Sequence, residues 1–203
     1  MLRVKPKRFP PLAAGNHKAQ RAAVLRVTII QKEGFFVRSF QIQDNLGFMK
    51  KLLTGNDFDA FLLSEASITT FATFQIDGTF HAEFLPAAEA ETLTDETSGY
   101  TLWKRVRPFF LELTRGKNTP LRFRIVFRLA PHNVEKLIAQ SGLSVRSEQI
   151  NGLFLNIHFD GEALTCVSGT SMNVFTLDKT LEHAWDEMLQ KFFLQKRIPF
   201  LLD

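Results

Sequence analysis

Residues 151–196 read NGLFLNIHFDGEALTCVSGTSMNVFTLDKTLEHAWDEMLQKFFLQK and predict two strands followed by a long helix. The first strand places apolar residues at every second position, so that Leu153, Leu155, Ile157 and Phe159 share one face. Asp160-Gly161 then predicts a two-residue hairpin turn. The second strand is expected from about residue 163 to residue 175, with a bulge or loop over Ser168-Gly169-Thr170-Ser171.

The helix of this stretch is predicted to follow Asp178, whose carboxylate can accept hydrogen bonds from the amides of a first helical turn. Apolar residues then recur three or four positions apart, which predicts a stripe that lies against the sheet. The stripe consists of Leu181, Trp185, Met188, Leu189 and Phe192. The polar side chains of Glu182, Asp186, Lys191 and Gln195 are expected to face solvent.

Length and composition describe one globular domain. The chain has 203 residues, of which 45% are hydrophobic, and this is enough to bury a sizeable core. Cys166 is the single cysteine, so no intramolecular disulfide can form, and its place in a strand indicates a buried thiol. No apolar run is long enough to span a bilayer and no secretory signal is evident. We therefore expect a cytoplasmic protein that does not bind membranes.

The formal net charge of +4 is unevenly distributed along the chain. Residues 104–128, which we call the basic segment, carry eight lysines and arginines against Glu112 alone. The candidate anion-binding residues within it are Arg105, Arg107, Arg115, Lys117, Arg122, Arg124 and Arg128. Such a segment can steer nucleic acid or an acidic protein partner. The alternative, that these side chains solvate one face and pair with acidic residues, stays open.

Residues 1–34 are predicted to form a basic, disordered arm, because they are rich in proline and basic residues. Only Val24 to Ile30 has the composition of a strand. An arm of this kind could contact phosphates or lipids, act as a targeting peptide, or result from translation that begins at an upstream start codon, which is the interpretation that we favour. Residues 35–203 are then expected to form a single α+β domain.

The elements predicted before residue 151 follow from the same periodicities. Asp44 should cap a short helix that Gly55 ends in a left-handed conformation. Further strands are expected over 58–66, 68–76 and 80–85, with a turn at Asp77-Gly78 and an acidic loop over 86–99. A helix should span 101–114, with Pro108 either in its first turn or at a kink. The clearest strand runs from Leu121 to Leu129, and a helix over 131–141 should end at Gly142.

The order of these elements repeats. An extended segment, a short helix, a hairpin and a long helix occupy residues 35–117 and then again residues 121–196. The fold class is therefore predicted to be α+β, with two pseudo-repeated strand-helix-hairpin-helix units. We expect a mostly antiparallel sheet, helices packed on one of its sides, and a pseudo-twofold relation between the two halves.

Several short motifs stand out along the chain: Arg107-Pro108-Phe109-Phe110, Gly116-Lys117-Asn118-Thr119-Pro120-Leu121, Asn151-Gly152-Leu153-Phe154-Leu155-Asn156-Ile157 and Phe175-Thr176-Leu177-Asp178-Lys179, followed by Trp185-Asp186. Together they resemble the motifs of a bacterial family of unknown function found in Gram-positive anaerobes. The resemblance covers residues 39 to about 196. Because the family has no assigned activity, it implies none for this chain.

The order of strand, short helix and antiparallel strands from Phe123 to Phe175 is also similar to the repeating unit of sliding-clamp domains. In those domains the helices face DNA and the sheets face outward. This chain departs from a clamp because it has two such units only, is shorter, and ends each half with an additional long helix. The resemblance therefore implies a clamp-like domain without a ring.

No catalytic motif is present, since the chain lacks a Walker loop, a G-x-G-x-x-G sequence and any clustered metal ligands. His158 with Asp160, and His183 with Asp186 and Glu187, are the nearest candidates for acid-base or metal chemistry. We expect no metal and no cofactor. Two classes of function remain open: a non-enzymatic binding or interaction module, associated with nucleic acid through the basic segment, or an enzyme whose site is assembled from residues distant in sequence. The oligomeric state is not predicted.

Overall fold

The structure is a computed structural model that describes residues 38–86, 90, 98–115 and 119–202. The predicted arm, Lys117 and most of the acidic loop lie outside these residues. The strands are β1 (Ser39–Ile42), β2 (Leu62–Thr69), β3 (Thr73–Asp77), β4 (Thr101–Leu102), β5 (Arg122–Arg128), β6 (Ile150–Phe159), β7 (Leu164–Met172) and β8 (Phe200–Leu202). The helices are α1 (Asn45–Leu53), α2 (Trp103–Thr114), α3 (Pro131–Ser141) and α4 (Thr180–Gln195). No helix within the described ranges has the length and apolar character needed to cross a membrane.

All eight strands belong to one antiparallel sheet that does not close into a barrel. Its order is β3-β2-β5-β6-β7-β1-β8, and β4 pairs with β2 beside β3. The sheet therefore has two free edges among the described residues, β3 at one end and β8 at the other. The predicted α+β class is confirmed, because the four helices named above, all within the described residues, pack alongside this sheet.

The helices cover one face of the sheet and form the core against it. Phe110 of α2 packs edge-on against Phe123 of β5 at 5.9 Å between ring centroids, and Phe193 of α4 packs against Phe40 of β1 at 5.2 Å. Phe123 pairs with Phe159, and Phe40 pairs with Cys166. The register between β6 and β7 places Phe159 and Cys166 on one face of the sheet, so Phe123 and Phe40 share that face. We call this the covered face, and the opposite one the open face.

Two buried tryptophans attach the long helices to the rest of the core. Trp103 Nε1 donates to the carbonyl of Leu52 in α1 at 3.0 Å, and Trp185 Nε1 donates to the carbonyl of Phe154 in β6 at 3.0 Å. Both rings are fully buried. Each indole therefore supplies apolar packing and also satisfies a backbone acceptor.

The predicted caps are partly confirmed. The Asp44 carboxylate, at the N-cap of α1, accepts from the amide of Gly47 at 2.8 Å. Asp178 lies one residue before Lys179, the N-cap of α4, and accepts from the first helical amide, that of Thr180, at 2.9 Å. Gly142 adopts φ of +61° after α3, as a left-handed helix end requires. The same prediction for Gly55 is wrong, because the described glycines with positive φ are Gly99, Gly142 and Gly161. The amide of Gly55 donates to the carbonyl of Lys50 at 2.8 Å, and α1 ends without the left-handed turn.

Several predicted boundaries are wrong. The β2–β3 turn lies at residues 70–72, and Ala82–Phe84 is a short 3-10 helix where a strand was expected. The segment over 168–171 stays in the β7 ladder without a loop. The turn after β6 contains four residues, because Phe159 pairs with Leu164, and the Asp160 carboxylate accepts two amides within it. Pro108 lies inside α2 beyond its first turn, so of the two positions predicted for it the first turn is excluded and the kink stays a prediction.

The two halves repeat the order of elements but not the pairing of strands. β5 lies between β2 and β6, the inner strands of the two hairpins, whereas β1 lies between β7 and β8. A twofold relation would require β1 to pair with β2 and β6, and it pairs with neither. The implied pseudo-twofold arrangement therefore does not extend to the sheet, because each strand's neighbours depend on packing that the local pattern does not encode.

Candidate functional site

The predicted alternation in β5 places three arginines on the open face. Phe123, Ile125 and Phe127 are buried against the helices, so Arg122, Arg124 and Arg128 project to the other side. Arg122 and Arg124 are exposed, and Arg128 is half-buried. The neighbouring strands carry Ser67, Thr69, His158, Asn156 and Thr165 on the same face. Exposed or half-exposed polar side chains thus line this side of the sheet.

Arg122 and Arg124 differ in their ionic partners. Arg124 Nη2 lies 3.1 Å from Glu65 Oε1 on β2, and both side chains are 56% exposed. An exposed pair of this kind contributes little to stability, about 0–1 kcal/mol. Arg122 lies opposite Thr69 and forms no salt bridge with any residue that the structure describes. Both guanidinium groups are therefore accessible to an anion.

Arg128 is held by its neighbours. Its guanidinium lies over the ring of Tyr100 at 4.8 Å and near that of Phe154 at 5.8 Å, and it donates a hydrogen bond to the carbonyl of Asn151. These contacts position the cation between two aromatic rings. We conclude that Arg128 anchors one end of the open face and has fewer donors available for a ligand.

The helical residues of the basic segment lie on the other side of the sheet. Arg105 and Arg107 belong to α2, which packs on the covered face, and Arg115 follows its last turn. Arg107 Nη1 forms an ion pair with Asp59 Oδ1 at 3.0 Å, and Arg115 Nη1 forms one with Glu112 at 2.7 Å. The structure thus separates the predicted site into two groups of three arginines, one on each side of the sheet, with Lys117 outside the described residues.

A polar cleft of about 400 Å³ adjoins Arg124 on the open face. Its lining includes two carboxylates, Glu65 and Asp77, which lie directly opposite each other on β2 and β3. The backbone amide and the side-chain hydroxyl of Thr79 both donate hydrogen bonds to the Asp77 carboxylate. These two bonds, the amide's first, lower the pKa of the Asp77 carboxyl. The sequence alone does not indicate that these acidic residues belong to the face, because their position depends on the register between strands.

Phe154 was also not among the predicted site residues, although the sequence contains a signal for its position on the open face. Its position in β6 has the opposite parity to Leu153 and Leu155, which are buried in the core. An aromatic residue at that parity must lie on the polar side. Tyr100, the other ring beside Arg128, has no comparable signal, because it reaches the site from a segment distant in sequence.

The residues considered for catalysis are not brought together. His158 is exposed on the open face, whereas His183 belongs to α4 on the covered side. Asp160 binds the turn amides of Ala163 and Glu162, which lower its carboxyl pKa. Within the described ranges, no three histidine, cysteine or acidic residues are grouped as metal ligands.

Asp186 was expected to face solvent but is buried, with its carboxylate 3.7 Å from Arg38 Nε. The helical pattern alone did not predict this, since Arg38 lies far from Asp186 in the sequence. This ion pair explains the burial of the carboxylate without a catalytic role.

Comparison with known proteins gives a match to one family model. The model is described as a family of unknown function (DUF5721), and it matches residues 51–201 of the chain. No curated protein and no solved structure matches the chain. The family predicted from the motifs is therefore confirmed, with bounds that differ from those expected at both ends.

Proposed function

Because the chain belongs to a family whose function is unknown, we propose from its own geometry that it is a non-enzymatic module that binds nucleic acid on the open face of its sheet. The observation that carries the proposal is the position of Arg122 and Arg124. They are adjacent on one side of β5, exposed, and flanked by hydrogen-bonding side chains on both neighbouring strands. Such residues bind phosphate oxygens without selecting a sequence.

The spacing of these residues suits a polyanion. Residues two apart in a strand are separated by roughly 7 Å, so the two guanidinium groups can contact neighbouring phosphates of one nucleic acid strand. Ser67, Thr69 and His158 lie directly beside the arginines and add donors for phosphate or sugar oxygens. An open antiparallel sheet also provides a surface on which single-stranded nucleic acid can lie.

The acidic side chains of the cleft limit the affinity. Glu65 must release Arg124 before that side chain can turn fully to a phosphate, at a cost of about 0–1 kcal/mol. Asp77 adds a second negative charge to the cleft beside Arg124. We therefore expect weak, sequence-independent binding that falls steeply as salt concentration rises.

The clamp-like arrangement makes the opposite prediction, since it directs the helices to DNA. On that side the basic segment contributes Lys104, Arg105, Arg107 and Arg115, of which Arg107 is paired with Asp59 and Arg115 with Glu112. The open face is favoured because its two exposed arginines are adjacent on one flat strand. The separation of His158 from His183 likewise supports binding over catalysis.

The test compares two double variants of the full chain that remove the same charge from opposite sides. Arg122→Gln with Arg124→Gln changes the open face, and Lys104→Gln with Arg115→Gln changes the helical side. Binding of a labelled single strand is measured by fluorescence anisotropy over a series of salt concentrations. The open-face variant should lower the salt slope by about 1.4, because each lost contact to a single strand contributes about 0.7. The helical variant should leave the slope unchanged.

The basic residues 1–34 are common to every variant, so their contribution cancels in the comparison. A synthetic peptide of residues 1–34 measures that contribution directly, and circular dichroism checks that both variants remain folded. Loss of binding in the helical variant alone would reject the open face in favour of the clamp-like orientation. Equal binding by all three proteins would reject the nucleic acid proposal.

A further inference from the structure

The edge strand β3 has backbone groups that are directed away from the sheet. Within the described ranges it pairs with β2 over its whole length and has no strand beyond it. The amide of Gly78 donates to the carbonyl of Ser64, one step beyond the Asp77–Glu65 pair. Because hydrogen-bonded pairs alternate in an antiparallel ladder, the N–H and C=O groups of Thr73, Gln75 and Asp77 must point away from β2.

This edge lacks the features that normally prevent pairing between sheets. The sequence Thr-Phe-Gln-Ile-Asp contains no lysine and no proline, and the β2–β3 register shows no bulge. The opposite edge, β8, has three residues against the five of β3, and short edge strands are poor templates for pairing. The β3 edge is therefore the favourable one for adding a strand.

We propose that two copies of the chain pair antiparallel through β3, with the twofold axis at Gln75. In this register Gln75 faces Gln75 of the second copy, Phe74 faces Ile76, and Thr73 faces Asp77. All three residues with outward-directed backbone groups form hydrogen-bonded pairs, which gives six backbone hydrogen bonds between the copies. The proposal goes beyond the proposed function and does not depend on nucleic acid.

The side chains of β3 favour this register over the neighbouring ones. An axis at Phe74 or Ile76 would place only two of the three outward-directed residues of β3 in hydrogen-bonded pairs, which gives four backbone hydrogen bonds within β3 instead of six. An axis at Asp77 would set two carboxylates against each other, which is unfavourable. The axis at Gln75 places each Asp77 opposite the Thr73 hydroxyl and each Phe74 opposite a β-branched Ile76, which are both favourable cross-strand pairs.

A twofold axis of this kind is perpendicular to the sheet, so both open faces lie on the same side of the dimer. The two rows of arginines would then be presented to one partner. Phe71, which is 94% exposed and packs against Phe74 at 5.8 Å, lies just before β3 and would flank the interface at both ends.

The experiment measures the oligomeric state of the full chain by sedimentation equilibrium, without nucleic acid. Thr73 is exposed, so changes at this position leave the core intact. Thr73→Lys places a lysine ammonium opposite Asp77 at both ends of the interface and should lower the Kd of the dimer roughly 2- to 30-fold. Thr73→Asp places two carboxylates opposite each other at both ends and should raise the Kd by a similar factor. Gln75→Pro removes the amide at the axis and should also weaken association.

Opposite responses to lysine and aspartate at one position are specific to this register. The proposal is overturned if the native chain is monomeric at about 0.1 mM, where even an association with a Kd of about 10 μM would be visible. It is also overturned if Thr73→Lys and Thr73→Asp change association in the same direction, or if neither has an effect, because the copies would then meet elsewhere. Thermal unfolding of each variant checks that the fold is retained.

Discussion

Replacement of Trp185 tests whether α4 is indispensable to the fold. The ring is fully buried between α4 and the sheet, and its Nε1 donates to the carbonyl of Phe154 at 3.0 Å. Trp185→Ala removes both the apolar packing and the hydrogen-bond donor. Trp185→Phe keeps most of the packing and removes the donor, so the two variants separate the contributions.

The expected magnitude follows from these two losses. Truncation of a buried tryptophan to alanine costs about 3–5 kcal/mol through lost transfer free energy and the cavity that remains. The carbonyl of Phe154 loses a partner, which adds about 1 kcal/mol. We therefore expect Trp185→Ala to lower the unfolding free energy by about 4–6 kcal/mol, a large share of the 5–15 kcal/mol typical of a domain. Trp185→Phe should cost about 1–2 kcal/mol.

Urea unfolding followed by circular dichroism measures both values. Glu187→Ala is the matched control on the same helix, because Glu187 is exposed and its one ion pair among the described residues is with Lys191 at 3.5 Å. It should change stability by less than about 0.5 kcal/mol. A loss below about 1 kcal/mol for Trp185→Ala would refute the burial of this stripe. A phenylalanine variant as unstable as the alanine variant would instead show that the hydrogen bond dominates.

Three further predictions concern the turn, the helix end and the thiol. The turn amides lower the folded-state pKa of Asp160, so its stabilisation is present above the unfolded pKa of about 3.9 and is lost as pH falls. Asp160→Ala should therefore lower the free energy of unfolding by about 0.5–1 kcal/mol at neutral pH. The difference from the native chain should become progressively smaller below about pH 4, as measured by urea unfolding at each pH. Gly142→Ala should lower the free energy of unfolding by about 1–2 kcal/mol, because φ of Gly142 is +61°. The control Ser141→Ala should leave the free energy of unfolding nearly unchanged, and equal effects of the two substitutions would contradict the left-handed helix end. Burial raises the pKa of the Cys166 thiol, so a chromogenic disulfide reagent should label it in urea but not in the native chain, and rapid native labelling would show that β7 is accessible.

The local pattern of the sequence determined which elements form and which side of each element is apolar. The alternation of β5 predicted that Phe123, Ile125 and Phe127 are buried and that the arginines project to the other side, and the structure places them so. The stripe of α4 was predicted in the same way, and its Leu181, Trp185 and Leu189 are buried. These predictions succeed because side-chain direction repeats every two residues in a strand and every 3.6 in a helix, whatever the element packs against.

Turns were predicted less well, because several backbone conformations are compatible with the same residues. Asp160-Gly161 indicated a two-residue turn, but the carboxylate of Asp160 accepts two backbone amides and stabilises a loop of four. Gly55 could adopt a left-handed conformation, which its type and position favour, and does not adopt it. The choice depends on hydrogen bonds that form only when the flanking elements are in place.

Only the tertiary structure decided which residues of the basic segment lie together. Residues 104–128 are continuous in sequence, but α2 packs on the covered face while the arginines of β5 project from the open face, so the sheet itself divides the segment. The pairing of Arg124 with Glu65 and the burial of Asp186 beside Arg38 likewise join residues that are far apart in the chain. Contacts of this kind depend on strand order and register, which arise from the packing of the whole core and not from any local periodicity.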